Sequence, residues 1–360
     1  MEYYIFVSND CNLNCRYCSV MLKLDEFQIP PTPQYSIEEL NSFICKIQEK
    51  YLDEIADIVF FGGEPTLNYP FIEKLIASQR SLKNRGFTFH YMLHTNGLLL
   101  YTMPDTILEA LDSIMLSINY DKVPHSGLSS SYFQAIVDSV HYIRQQKTIP
   151  IVARLTITEE TSLYSEVALF NPFFDAIYWQ IENKYAFLDF NSFYSTYKYE
   201  MELVFNMWLN YLKQGVFIKL IPFIAATTFS LHKQMPSGFC CGYNKRMVYV
   251  QTDGRCYTCA EDMTTSKNLI GQISNGICFD HYGLENTICY GCSYVSICMG
   301  RCGRMHREFS LSHIQEYCKL NQILFDLIGS HSDVILKYCE EQNLQLTLDD
   351  PIYHYTEYTP

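Results

Sequence analysis

The stretch "YYIFVSNDCNLNCRYC" (residues 3–18) joins an apolar, strand-forming run to a loop that carries Cys11, Cys15 and Cys18. A closed structural metal site takes four ligands, whereas three ligands leave one position for a reactant. Three thiols just past a strand therefore read as a site kept open. The strand before them sets the pattern of the first half. Further strands are "ADIVFFGG" (56–63), "FTFHYMLHTNG" (87–97), "SIMLSIN" (113–119), "IPIVARLTIT" (149–158) and "DAIYWQIEN" (175–183). Helical segments fall between them at 36–50, 70–85, 104–111, 130–146 and 162–170. Ser36 and Glu39 predict a capping box on the first helix, and Gly86 a stop after the second. Six strand–helix repeats predict an α/β fold, a partial (β/α)6 TIM-like barrel of parallel strands with right-handed crossovers. Ligands of such folds sit at the C-terminal ends of the strands. The cysteine loop, GGEP (62–65), HTNG (94–97) and residues 117–119 all lie at such ends, which predicts one pocket.

The chain has 360 residues, 48% of them hydrophobic, and no apolar run of membrane-spanning length. Its first ten residues lack the basic start and cleavage site of a secretory signal. A formal charge of −13 without a Lys/Arg cluster argues against nucleic acid as a partner and suits a basic peptide or a small molecule. Fifteen cysteines with clustered C-x-x-C spacings then point to metal ligation in a reducing cytoplasm rather than to disulfides. Residues 1–215 read as the barrel, with a long helix near 192–214 at its end. Ten of the fifteen cysteines lie between 240 and 318, so 216–345 reads as a small loop-rich region stapled by metal and closed by a helix at 312–345. Residues 346–360 read as an irregular tail.

The pattern Cys11-x3-Cys15-x-Tyr17-Cys18 resembles, without departure, the signature of the radical S-adenosylmethionine (SAM) enzymes. The resemblance implies a 4Fe–4S cluster held by those three cysteines, with the free iron chelated by SAM. It also implies one-electron cleavage of SAM to methionine and a 5′-deoxyadenosyl radical that abstracts hydrogen from a substrate. Gly62, Gly63, Glu64 and Pro65 match the turn that holds the SAM amino group in that family. Ser117 stands where a ribose or carboxylate contact is usual, or it is simply a strand-end cap. Arg154 is either a bidentate carboxylate partner or an ordinary pairing residue. Asn96 and Gly97 mark a turn beside the cofactor, and Tyr17 an aromatic wall against adenine.

The second cysteine set reads Cys241-x12-Gly254-x4-Cys259, then Cys289-x2-Cys292-x5-Cys298-x3-Cys302, then Cys318. This resembles the SPASM extension of peptide- and protein-modifying radical SAM enzymes. The resemblance implies two auxiliary 4Fe–4S clusters, three in all. Cys289, Cys292, Cys298 and Cys318 would hold the outer one, and Cys241, Cys259 and Cys302 the inner one. The inner fourth ligand is Cys256, Cys240 or an open iron. Cys45, Cys278 and Cys339 match nothing and read as small buried hydrophobes.

These resemblances imply an oxidoreductase-like maturase of ribosomally made peptides, forming an oxidative modification such as a thioether or carbon–carbon link. They further imply a ferredoxin- or flavodoxin-type reductant, a cytoplasmic location, no membrane partner, and an anaerobic setting. One alternative is the sulfatase-maturing type, which converts a protein Cys or Ser to formylglycine and shares "GGEPTL" (62–67). Those enzymes carry an Asp base directly after the second inner cysteine. Here Ala260 stands there, followed by Glu261, which is either a deputy base or a solvated acid. A second alternative is a non-catalytic multi-cluster electron carrier, which would need no GGEP turn. The motif begins at residue 11, so no leader-peptide-binding domain is expected before it.

Overall fold

β1 (Glu2–Ser8) is buried along its whole length, as a parallel strand covered on both faces must be. In the computed structural model it is flanked by two parallel partners, β2 (Ile55–Gly62) and β7 (Met247–Val250). The structure describes residues 1–15, 18, 29–53, 55–82, 86–119, 129–232, 236–261, 263, 267–348, 353 and 358–360. The chain divides into two compact units.

The first unit comprises Met1–Ser117, Lys122–Ile151 and Asn244–His281. Its further elements are α1 (Ile37–Tyr51), α2 (Tyr69–Arg80), β3 (Thr88–Thr95), α3 (Asp105–Leu108), β4 (Ser113–Ser117) and α4 (Ser129–Gln146). The hairpin strands β8 (Arg255–Tyr257), β9 (Leu269–Gln272) and β10 (Gly276–Ile277) complete it. Strand order is β10-β9-β8-β7-β1-β2-β3-β4, parallel from β7 to β4 and antiparallel from β7 to β10. The predicted capping box is present. Ser36 Oγ accepts from Glu39 N–H, and Glu39 accepts from Ser36 N–H.

The second unit comprises Ile118–Asp121, Val152–Tyr243 and Tyr282–Pro360. It holds β5 (Ile151–Ile157) parallel to β6 (Ala176–Ile181), then α5 (Leu163–Phe170), α6 (Phe190–Lys213), α7 (Ile221–His232), α8 (Val295–Cys298), α9 (Gly303–Glu308) and α10 (Leu311–Glu341). The parallel α/β class read from the sequence is therefore the one observed. Several expectations are corrected. α2 ends at Arg80, so Gly86 is not its stop, and α3 is a single turn. α7 lies where no element was expected. Its residues 221–228 are all buried, so it lacks the polar stripe that reveals a surface helix. Described residues of the tail are packed. Tyr353 is buried among Val152, Ala176, Tyr178, Ile221 and Ile224. Cys45 and Cys339 are buried as expected, but Cys278 is exposed just past the edge strand β10. Among the described residues no helix is long and apolar enough to cross a membrane.

Candidate functional site

β1 hands the chain to the cysteine loop at Ser8, and β2 ends beside it at Gly62. Gly62 has φ +133°, a conformation that side chains rarely tolerate. A Cβ on Gly62 would stand 2.0 Å from the Ser8 carbonyl oxygen, and one on Gly63 would stand 2.4 Å from that of Asp10. The bare backbone lets Gly63 N–H donate to Ser8 O and Glu64 N–H to Asp10 O, each at 2.8 Å. The two strand ends are thus laced together directly before Cys11. Gly62→Ala should destabilise the protein by about 3 kcal/mol, seen as a lower thermal midpoint. An unchanged midpoint would show that the turn opens without loss.

Glu64 is fully buried. Its Oε1 accepts from Thr66 N–H at 3.1 Å and from the Thr66 and Thr95 hydroxyls, both at 2.6 Å. Its Oε2 accepts from Asn96 N–H at 2.8 Å. One carboxylate therefore ties the turn after β2 to the end of β3. Burial pushes its pKa up, and the bonds from Asn96, Thr66 and Thr95 pull it back. Asn96 carries the lacing onward. Its Nδ2 donates to Asn12 Oδ1 at 2.7 Å, next to Cys11, and its side chain helps to hold the Cys11 thiol's pKa down.

Cys11, Cys15 and Cys18 are all half-buried. Cys18 N–H donates to Cys15 O at 3.1 Å, and Leu13 N–H to Cys11 Sγ at 3.4 Å. Burial pushes the Cys11 thiol up to about 11. Glu64 and Cys18 add to the rise, and the Leu13 bond and the Asn96 side chain oppose it. A bound metal deprotonates such a thiol outright. Three soft donors on one half-open loop fit an iron–sulfur cluster with a vacant iron. Tyr17 lies outside the described residues.

Beside this loop, His94 Nε2 lies 2.9 Å from Ser117 Oγ, and the His94 ring 5.1 Å from that of Phe61. Sequence reasoning did not single out His94. The available signal was alternation, because Leu93 and Thr95 are buried while His94 between them is half-exposed. Asn9 was also missed. It is buried at the end of β1, with Nδ2 within 2.9 Å of Pro30 O, Gln251 Oε1 and Thr252 Oγ1. It ties the cysteine loop's root to the turn between β7 and β8. Glu261 is half-buried after β8, and Cys259 half-buried before it. Cys256 is fully buried, and its thiol donates to Gly254 O at 3.7 Å. Burial pushes that thiol far up.

The second unit gathers a separate group of thiols. Burial raises Cys298 first, followed by the neighbouring Cys289, Cys318 and Cys240. Burial likewise pushes Cys289 up to about 11, with Cys318 and Cys292 adding to it. Cys289, Cys292, Cys298 and Cys318, which the family resemblance assigns to one cluster, thus each feel at least one other thiol of the set. Cys289 Sγ also lies 3.4 Å from His306 Nε2. The chain passes from Cys298 to Cys302 through Met299 and Arg301, both at positive φ. A small pocket beside this turn is lined by Arg301, Cys302, His306, Tyr317, Cys318 and Asn321. Cys241 and Cys302 are half-buried in this unit. Arg154 pairs with Gln180 across β5 and β6. Among the described residues no three His, Cys, Asp or Glu side chains converge on a single ion. A cluster has no such need, because its thiolates ligate separate irons.

Residues 5–153 match the model of the radical SAM superfamily. Over 107 residues, 27% of the chain, the sequence is 33% identical to the radical SAM cyclopropyl synthase TigE of Paramaledivibacter caminithermalis. Over 309 residues, 74% of the chain, it is 29% identical to the uncharacterized protein MJ0103 of Methanocaldococcus jannaschii. The chain spans 22% of the first relative's own length and 66% of the second's. The solved structure of anSMEcpe with bound AdoMet is similar at a TM-score of 0.73 and 18% identity, covering 96% of this chain and all of that one. The same enzyme with AdoMet and the peptide Cp18Cys gives 0.70 over 94% of this chain and 99% of its own. At such identity the likeness is one of fold.

Proposed function

We propose that the chain, whose residues 5–153 match the radical SAM superfamily model, is a radical SAM enzyme that oxidatively modifies a peptide or protein. The observation that carries the reading is the interlock of the cysteine loop with the GGEP turn. Gly63 and Glu64 N–H grip the backbone before Cys11, and Asn96 joins the Glu64 carboxylate to Asn12, next to Cys11. Cys11, Cys15 and Cys18 would hold a 4Fe–4S cluster. When bound, that cluster and SAM supply a one-electron cleavage that furnishes a hydrogen-abstracting carbon radical. The residues of the chain do the positioning. Gly62 and Gly63 keep the turn bare of side chains, so a ligand's amino group can approach the backbone. Glu64 is committed to four internal donors, so its part is to fix that turn. The His94–Ser117 pair offers a hydroxyl and an imidazole nitrogen at the next strand ends. Cys289, Cys292, Cys298 and Cys318 would hold an auxiliary cluster, and Cys241, Cys259 and Cys302 a second. The fourth ligand of that second cluster would be Cys256, Cys240 or an open iron.

Peptides as substrates are favoured by the proteins it resembles, since anSMEcpe is seen with the peptide Cp18Cys and TigE is a cyclopropyl synthase. A thioether or carbon–carbon link is the preferred product over formylglycine, because Ala260 supplies no base where the sulfatase-maturing type has Asp. A ferredoxin- or flavodoxin-type donor in the cytoplasm would supply electrons. Anaerobically reconstituted protein with a strong reductant should convert SAM to 5′-deoxyadenosine and methionine. Cluster-loaded protein that leaves SAM intact would refute the proposal and favour a plain electron carrier.

A further inference from the structure

Arg301 is buried and sits at φ +52°, a conformation a non-glycine residue holds only when its surroundings fix it. Its guanidinium reaches two kinds of acceptor. On one side, Nη2 donates to Ile181 O at 2.9 Å and Nη1 to Asn183 Oδ1 at 2.6 Å, at and just past the C-terminal end of β6. On the other side, Nε donates to the main-chain oxygen of Pro360. The tail residues around that oxygen are held like a bound ligand. Thr359 is buried and its hydroxyl donates to Cys298 O at 3.2 Å. The Tyr358 ring meets Phe229 edge-on at 5.6 Å. A main-chain oxygen, a hydroxyl and an aromatic ring are thus each matched by a fixed partner. The strand end involved is the one at which parallel α/β units bind ligands.

We infer that this cleft is a peptide-binding subsite, occupied here by the chain's own Tyr358–Pro360 segment, and that a substrate peptide enters by displacing it. The inference rests on the peptide-modifying reading. The chemistry defines the guest: an extended peptide with an aromatic residue, then Ser or Thr, then a residue whose main-chain oxygen meets Arg301. A tethered segment competes at an effective concentration near the millimolar range, so the tail raises the apparent Kd of any guest.

The test uses a fluorescein-labelled synthetic peptide, Tyr-His-Tyr-Thr-Glu-Tyr-Thr-Pro, matching 353–360, and reads its anisotropy. The full chain is compared with one lacking residues 358–360. Truncation should tighten binding about ten-fold or more, and Arg301→Gln in the truncated chain should abolish the gain. If truncation impairs folding, the full-length double variant Tyr358→Ala/Thr359→Ala should show the same direction of change. Equal affinity in the full and altered chains, or a gain that survives Arg301→Gln, would overturn the inference. SAM cleavage is measured in parallel. Cleavage without any change in peptide affinity would sink the subsite alone. Tighter peptide binding in protein unable to cleave SAM would support the subsite and sink the functional reading.

Discussion

Glu64→Gln should lower stability by about 3 kcal/mol and weaken SAM binding, although the substitution changes one atom. The carboxylate faces donors only: two from Thr66, one from Thr95 and one from Asn96. An amide must turn its NH2 toward one of these groups. At the Oε2 position it confronts Asn96 N–H, and at the Oε1 position three donors at once. Either way a charge-assisted bond, worth about 1.5–3 kcal/mol, is lost and a buried N–H is left unmatched. Metal-free protein isolates the effect from cluster loss, and its thermal midpoint should fall by roughly 5–10 °C. The local consequence follows from the same bonds. Asn96 N–H is released from Glu64, so the Asn96 side chain that bonds Asn12 next to Cys11 loses its anchor. A variant with wild-type midpoint and wild-type SAM affinity would show that this carboxylate is not what sets the turn.

What could be read from the sequence was whatever rests on local chemistry. The capping box at Ser36 and Glu39, the strand over 87–97 and the glycines after β2 are short-range patterns, and each is found in place. The clustering of Cys289, Cys292, Cys298 and Cys302 was legible from spacing alone, whereas Cys318, on α10, was assigned to a ligand set by resemblance alone. What could not be read depends on distant pairing. β7 lies parallel to β1, with Glu2 opposite Met247, and Asn9 closes on Gln251 and Thr252. Nothing near residue 9 announces a partner so far along the chain. α7 escaped for the opposite reason, since a helix buried on all sides has no amphipathic period to detect. Nor could composition show that Thr359 of the tail is buried with its hydroxyl on the Cys298 carbonyl.

Removing the two cysteine groups separately should divide the chemistry. Replacing Cys11, Cys15 and Cys18 by alanine is expected to lower iron by about four per chain and to abolish 5′-deoxyadenosine formation. The loop's backbone anchors, Ser8 O and Asp10 O, are untouched by these changes, so the first unit should still fold. Replacing Cys289, Cys292, Cys298 and Cys318 should also remove about four irons per chain, yet leave SAM cleavage in place while peptide modification stops. The physical reason is the placement of the groups. The loop thiols are held by Leu13 and Asn96 within the first unit, while the second group owes its position to α8, α10 and the Cys289–His306 contact within the second. Loss of the second group would remove the proposed metal staple from a loop-rich region, so the circular dichroism of that variant must be checked before its activity is read. Folded protein lacking the second group but unable to cleave SAM would mean that the two centres do not act separately. Loop-cysteine variants that still yield 5′-deoxyadenosine would place the SAM chemistry elsewhere in the chain.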